Sequence, residues 1–563
     1  MLFRSDFTNE NPSYSLPSTS FVTVQCYESR DAIRIWDSGF TSAIPWDGLP
    51  LVDSFTDSTY REYAAINLQA DRYGGRGVGS NGGAGRCAGS NGFQVKGCGA
   101  TPLIGLNPDR FHSNGFCALR NVVREAIWSE VLRQVLPFGA PKVRSVFQCP
   151  GTVELPTALG TICRPQGALV REFFLRPAHF MRAALFKGKV TNDCAEISDT
   201  TRTRNAVQTL VAHELGVDFS AVSSITASRL NGALTALLEG VVHKIAHQMG
   251  VAYTKRILHG NIGCSNVGWC GEWADLDTCT TLVEFAPFNS GGFDKHSFGI
   301  EYEAVDAVIH NLAYSFLRFT SHRLDLQTNL STHLKNCLRS TYSATVKEGL
   351  IRLTGLPTKL VTLIPAELNK RFLAAADRRL NKTSAPFYYT EGSIWPMPET
   401  MRPYALCEDL RSAQLRLLHK YSPTESVPLE GAKKIPSDLD EILESIYSSV
   451  GLLSGESSRS AFHATLFNSI RVNFPTSILY RCRLDKMIDE KIANDHDLGS
   501  VIKTTVERAK LTLLDFEEGD LYLAVHGIGF GLSMSDGTVI DGQKTTPTVF
   551  FERLSSYVNC ESE

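Results

Sequence analysis

Apolar positions follow two different rhythms along this chain. Up to about residue 176 they come in short runs broken by polar, turn-rich pieces. The runs at 20–24 and 32–36 are early examples. Glycine density then rises between Gly74 and Gly99. Within that stretch Asn81-Gly82 and Asn91-Gly92 predict tight turns, because both residue types tolerate positive φ. The alternation of Phe93-Gln94-Val95-Lys96 predicts a strand after the second turn. Leu119, Val122, Val123, Ala126, Ile127 and Val131 recur at helical spacing and predict an amphipathic helix over 117–135. A further β-rich stretch is expected over 142–176. Beyond it the period changes: 203–257 reads as helical, and so does most of the chain from 267 to about 515. The polar stretch 422–436 predicts a linker or surface loop, and 520–552 predicts strands or hairpins. No internal repeat is visible.

This order predicts an α+β fold: a β-rich N-terminal lobe, a helical C-terminal lobe, and a further helical region at the C-terminus. It is the bilobal plan of protein kinases. The expected division is an N-terminal extension at 1–70, a first lobe at 71–200, a second lobe at 201–420 and a C-terminal extension at 421–563. A length of 563 residues is consistent with several domains. The formal charge of −3 makes no case for a nucleic-acid partner. The 14 cysteines are scattered without a CxxC pair, which predicts buried, reduced thiols. The opening MLFRSDFTNENP lacks the apolar core of a secretion signal, and no apolar run reaches the length of a membrane span. A cytoplasmic location without membrane insertion is the expectation.

Candidate chemistry concentrates in a few blocks. The stretch GAGRCAGSNGFQVK places Gly83, Gly85 and Arg86 before Lys96, and Glu125 follows on the predicted helix. Bare backbone, an ammonium and a carboxylate to hold it, in that order, suit a nucleotide-phosphate cradle. Arg86 adds a two-pronged phosphate donor. Much later HGNIGCSN ends in Asn266, and Asp275 lies nine positions on; an amide and a carboxylate oxygen are the ligands a magnesium-nucleotide site uses. Taken singly, each residue suits an ordinary turn, strand end or helix surface. Their joint order makes them candidates.

At these blocks the chain resembles the selenoprotein O family of kinase-like proteins, which transfer AMP from ATP to protein hydroxyls. The family's GDGR is similar to Gly83–Arg86, its LKGAGPTP to residues 95–102, its GDGRAVLRSSIRE to 113–125 and its HGVMNTDN to 259–266. The match extends over about 70–280. The resemblance implies ATP binding by Gly83, Gly85, Arg86, Lys96, Asn114, Gly115 and Asp275. It implies Mg²⁺, or Mn²⁺, on Asn266 and Asp275, with Asp277 as ligand should the register slip by two. It also implies two arginines enclosing a reversed nucleotide: the family's RVAPSHLRFG is similar to FLRPAHFMRAALF, which offers Arg176 and Arg182, with Arg171 an alternative for the first. Cys560 is similar to a cysteine or selenocysteine often found near the family's C-terminus.

Departures shape the functional expectation. Asn114 replaces an acidic residue, and Ser265 replaces the aspartate taken as proton acceptor; Asn261 holds the position of the kinase catalytic aspartate. None is a good base near neutral pH. With Lys96, Glu125 and Ser265 as the catalytic positions, the expected activity is a protein adenylyltransferase acting on a protein or peptide. One alternative is a maturation factor for a microcin-like peptide that activates a carboxylate with ATP, since an anionic acceptor needs no base. Another is an inactive nucleotide-binding scaffold. Elsewhere, His243 and His247 have the spacing of a zinc-protease pair, but Lys244 stands where that motif needs glutamate. Cys264, Cys270 and Cys279 lack zinc-ligand spacing and read as buried thiols.

Overall fold

The computed structural model describes residues 16–556 apart from 40–45, 47, 53–64, 76–78, 107–112, 158–159, 188–197, 283–287, 290–300, 381–386, 389–405, 423–436, 456–457, 475, 517–519, 526–527, 547–548, 551 and 554–555. Nearly all of the stretch expected as a linker, and Cys560, lie outside the described residues.

The β-rich part is one antiparallel sheet. Its strands are β1 (Phe21–Ser29), β2 (Ile33–Asp37), β3 (Leu49–Val52), β4 (Ala65–Asp71), β5 (Cys87–Ser90), β6 (Phe93–Lys96), β7 (Cys117–Ala118), β8 (Val143–Thr157) and β9 (Gly160–Glu172). They lie in the order β2-β8-β9-β6-β5-β4-β1-β3, with β7 also on β9. The segment expected as an extension thus supplies β1 to β4 of the sheet itself. Strands β5 and β6 form a hairpin across Asn91 and Gly92, both at positive φ, as the turn signal predicts.

The pleat of β6 sorts its side chains to two faces. Val95 joins Val24, Ala88, Ala168 and Val170 in an apolar cluster on one side. Gln94 and Lys96 point to the other, where helix α1 (Leu119–Val135) packs. The six apolar positions predicted for α1 are all buried, and so are Arg124, Glu125 and Ser129. The helix is covered on more than its apolar stripe because two helices from the far end of the sequence, Arg481–Ala493 and Leu498–Leu513, pack on it too.

The rest is largely helical: α2 (Asp199–Leu215), α3 (Ala227–Thr254), α4 (Val305–Phe319), α5 (Gln327–Arg352), α6 (Thr358–Val361), α7 (Ala366–Leu380), α8 (Leu406–Tyr421), α9 (Asp438–Ser449), α10 (Arg459–Val472), α11 (Arg481–Ala493) and α12 (Leu498–Leu513). Two short pairs interrupt it, β10 (Ile257–Leu258) with β11 (Thr280–Thr281) and β12 (Phe288–Asn289) with β13 (Phe387–Tyr388). Strands β14 (Asp520–Val525), β15 (Ile528–Ser533), β16 (Gly537–Ile540) and β17 (Gln543–Lys544) then make the small antiparallel sheet expected in the tail. One core runs from the α1 side of the large sheet through α2 to α5 and takes in α11 and α12. A second joins α7 to α10 and the tail sheet. No described helix is long and apolar enough to cross a membrane. None of the described cysteines is in a disulfide; Cys264 and Cys279 are buried and Cys270 is half-buried.

Candidate functional site

Three residues far apart in sequence converge at the end of β6. The Lys96 ammonium donates to Glu125 Oε2 and to Asp275 Oδ1, each at 2.5 Å. Lys96 and Glu125 are buried, whereas the Asp275 side chain keeps 34% of its surface open. Burial by itself would strip the charge from Lys96, but the carboxylates of Asp275 and Glu125 outweigh it and hold the ammonium above the ordinary lysine range. Burial likewise works against ionised Asp275, and Lys96 with Arg86 overcomes it, holding that carboxyl well below the usual carboxylate range.

Glu125 is gripped from its other oxygen. Arg171 Nη1 donates to Oε1 at 2.8 Å, and the same guanidinium donates twice to Gln94 Oε1, its cross-strand partner. Gln94 Nε2 donates to Asp71 Oδ1 at 2.8 Å, and Asp71 Oδ2 lies 3.1 Å from His179 Nε2. Because the Arg176 backbone N–H donates to His179 Nδ1, the imidazole carries its hydrogen on Nε2 and donates it to Asp71. The Arg176 side chain lies over the rings of Phe174 and Tyr73, at 4.0 and 4.7 Å, and donates to the Ser265 carbonyl at 2.9 Å. A continuous buried polar chain therefore runs from Asp275 through the sheet and back to the loop bearing Ser265.

That loop is locked from behind. His259 Nε2 donates to the Ala274 carbonyl, and its Nδ1 accepts from the Asn261 N–H. Glu301 accepts from the backbone N–H groups of His259 and Gly260, at 3.2 and 2.7 Å. Burial pushes its carboxyl from 4.5 up to about 7, against the pull of those donors. A bridge between Val267 and Trp273 brings Asn266 alongside Ala274, and so next to Asp275. Asn266 is held by Nδ2 on the Asn261 carbonyl, while its Oδ1 accepts from the Ser265 hydroxyl. Asp275 itself sits in the left-handed region at φ 59°. Two residues on, Asp277 faces Arg86 and Arg124, each at 3.9 Å; its buried Oδ1 makes no hydrogen bond.

The glycine blocks make close backbone approaches before and after β5 and β6. Gly83 bridges Arg72, and Gly85 accepts from Thr101. Gly115, at φ 79°, presses so closely on Gly99 and Ala100 that a Cβ there would sit 2.1 Å from their backbone. Asn114 uses its side chain to accept from Phe116 N–H, closing the turn before α1. Arg86 lies 3.7 Å from Asp275. Arg182 stands apart: its side chain is exposed, and among the described residues no hydrogen bond or ion pair ties it to this cluster. His243 and His247 each meet a threonine of α5 instead of one another's metal.

Sequence reasoning missed Asp71, Gln94, His179 and Glu301. A signal for Gln94 existed, since it shares the Lys96 face of a two-residue repeat; the others come from separate elements and carried none. No protein-family model matches the chain, and no curated protein matches it.

Proposed function

We propose that this protein is an ATP- and Mg²⁺-dependent nucleotidyltransferase with the bilobal kinase-like plan, related to selenoprotein O and transferring AMP to a protein or peptide. The observation that carries this reading is the meeting of Lys96 with Glu125 and Asp275. Asp275 stands on the side of the ammonium that phosphate oxygens would take. Glu125, itself fixed by Arg171, keeps the ammonium aimed. Arg86 supplies a second cation at the same mouth. The donor set near Asp275 consists of hard oxygens, Asn266 Oδ1 and the carboxylates of Asp275 and Asp277; Asp277 Oδ1 makes no hydrogen bond, with Arg124 3.9 Å away. Magnesium held there would offset charge on the departing pyrophosphate. In the transfer an acceptor oxygen attacks the α-phosphorus, the bond to the bridging oxygen breaks, and pyrophosphate leaves.

Ser265 bears on the choice of acceptor. Its hydroxyl donates to Asn266 and cannot serve as a base near neutral pH. This favours an acceptor that arrives as a carboxylate, yielding an acyl-adenylate, as in the maturation of a microcin-like peptide. Incubation with α-labelled ATP and Mg²⁺ tests both versions. Label on protein or peptide is expected for the wild type and lost in Lys96→Ala; removal of the label by hydroxylamine marks the acyl form. If Mg-ATP neither raises the melting temperature nor transfers label, the nucleotide reading fails. A melting shift without transfer leaves the scaffold reading in its place.

A further inference from the structure

The seam between α3 and α5 carries chemistry that the lysine cluster does not use. The two helices run in the same direction and meet in steps of four residues: Glu239 beside Cys337, His243 beside Thr341, His247 beside Thr345. At the first step His333 joins from one turn earlier on α5, on the same face as Cys337. Its Nε2 contacts Glu239 Oε1. Cys337 Sγ lies 3.8 Å from that oxygen and 3.9 Å from that nitrogen. A carboxylate oxygen, an imidazole nitrogen and a sulfur thus lie within 4.8 Å of one another.

We propose that Glu239, His333 and Cys337 form a zinc site that ties α3 to α5. Ligands about 2.0–2.3 Å from a tetrahedral ion stand roughly 3.3–3.6 Å apart. The two sulfur distances need to close by only a few tenths of an ångström, and the Glu–His contact opens to admit the ion. Mixed nitrogen and sulfur donors select zinc over magnesium or calcium. One carboxylate and one thiolate, with a neutral imidazole, balance the dication. The thiol gives its proton to solvent as the metal enters, so affinity climbs with pH. With 50% of the His333 and 31% of the Glu239 side chain exposed, the fourth position opens to solvent and takes a water. The three ligands stand on α3 and α5, whereas Asn266 and Asp275 stand on the loop after β10, so this ion serves as a staple in the helical part.

The test uses chelator-stripped full-length protein titrated with zinc against a chromophoric chelator, and in parallel with cobalt. One equivalent of tightly bound zinc is expected, together with the near-ultraviolet sulfur-to-cobalt band. Cys337→Ser removes that band, and His333→Ala weakens zinc by at least about 100-fold, more than the loss of an outer-shell partner costs. Glu239→Gln, which preserves shape, provides a third variant should either of these misfold by circular dichroism; it too must weaken zinc. No stoichiometric binding, or binding and cobalt band unchanged in the correctly folded variants, overturns the site. Neither result bears on Mg-ATP.

Discussion

A buried lysine between two carboxylates is costly to assemble, because each charge gives up water before it gains its partners. At Lys96 the surroundings favour the charged form on both sides, and Arg171 prevents Glu125 from being left with one oxygen unsatisfied. Glu301 is the opposite case, a carboxyl that burial keeps protonated to about pH 7. Between pH 4.5 and 7 the folded chain holds a proton there that the unfolded chain has released. The contribution of this group to stability is therefore complete below that window and is lost as pH rises through it, by on the order of 3 kcal/mol. Glu301→Gln removes the titrating proton and keeps one amide oxygen to accept from Gly260 N–H, giving up the His259 N–H bond. Urea unfolding of this variant is expected to show a smaller decline between pH 5 and 7.5 than wild type; Glu272, also raised to about 7 by burial, adds to the decline, and His179 and His247, lowered by burial, oppose it. An unaltered decline in the variant would show that Glu301 titrates normally.

Helix α1 acts as the strut that sets Glu125, and its position is fixed from the far end of the sequence. Arg120 and Arg124, one turn apart, meet Asp489 and Asp485, one turn apart on α11. Arg124 is 1% exposed, and its guanidinium pairs with Asp485 and faces Asp277 at 3.9 Å. Asp485→Ala removes the nearest of them. We expect a loss of about 3 kcal/mol in unfolding free energy, the lower end for a broken buried pair because Asp277 remains. In the same variant, Mg-ATP should raise the melting temperature less than in wild type, because Glu125 rides on the same helix one residue from Arg124. Wild-type stability with an unchanged Mg-ATP response would disconnect α11 from the site.

At the scale of the molecule, described parts of both expected extensions belong to the sheet and cores. Strands β1 to β4 complete the sheet that carries Lys96, and α11 and α12 supply Leu484, Ile488, Leu498, Ile502, Ala509 and Leu513 to the core around α1. Removing that face exposes apolar surface on both α1 and β2. A chain ending at residue 474 is expected to lose its cooperative thermal transition. A single sharp melt near the wild-type temperature would mean that the chain up to residue 474 folds without α11 and α12.

The sequence by itself determined the local elements and the candidates within them. Turn chemistry at Asn91-Gly92, the two-residue repeat of β6 and the three-to-four repeat of α1 act over a few neighbours, so they are legible without a fold. It also put Lys96, Glu125 and Asp275 forward by their order. Only the tertiary structure decided that these three touch, that Arg171 serves Glu125 while Arg176 serves the Ser265 carbonyl, and that Arg182 stands outside. It alone joined Asp71, Gln94 and His179 into the chain behind them, and brought α11 onto α1. Those relations depend on how faces from distant segments are buried together, and a burial partner hundreds of residues away leaves no periodic trace in the segment it covers.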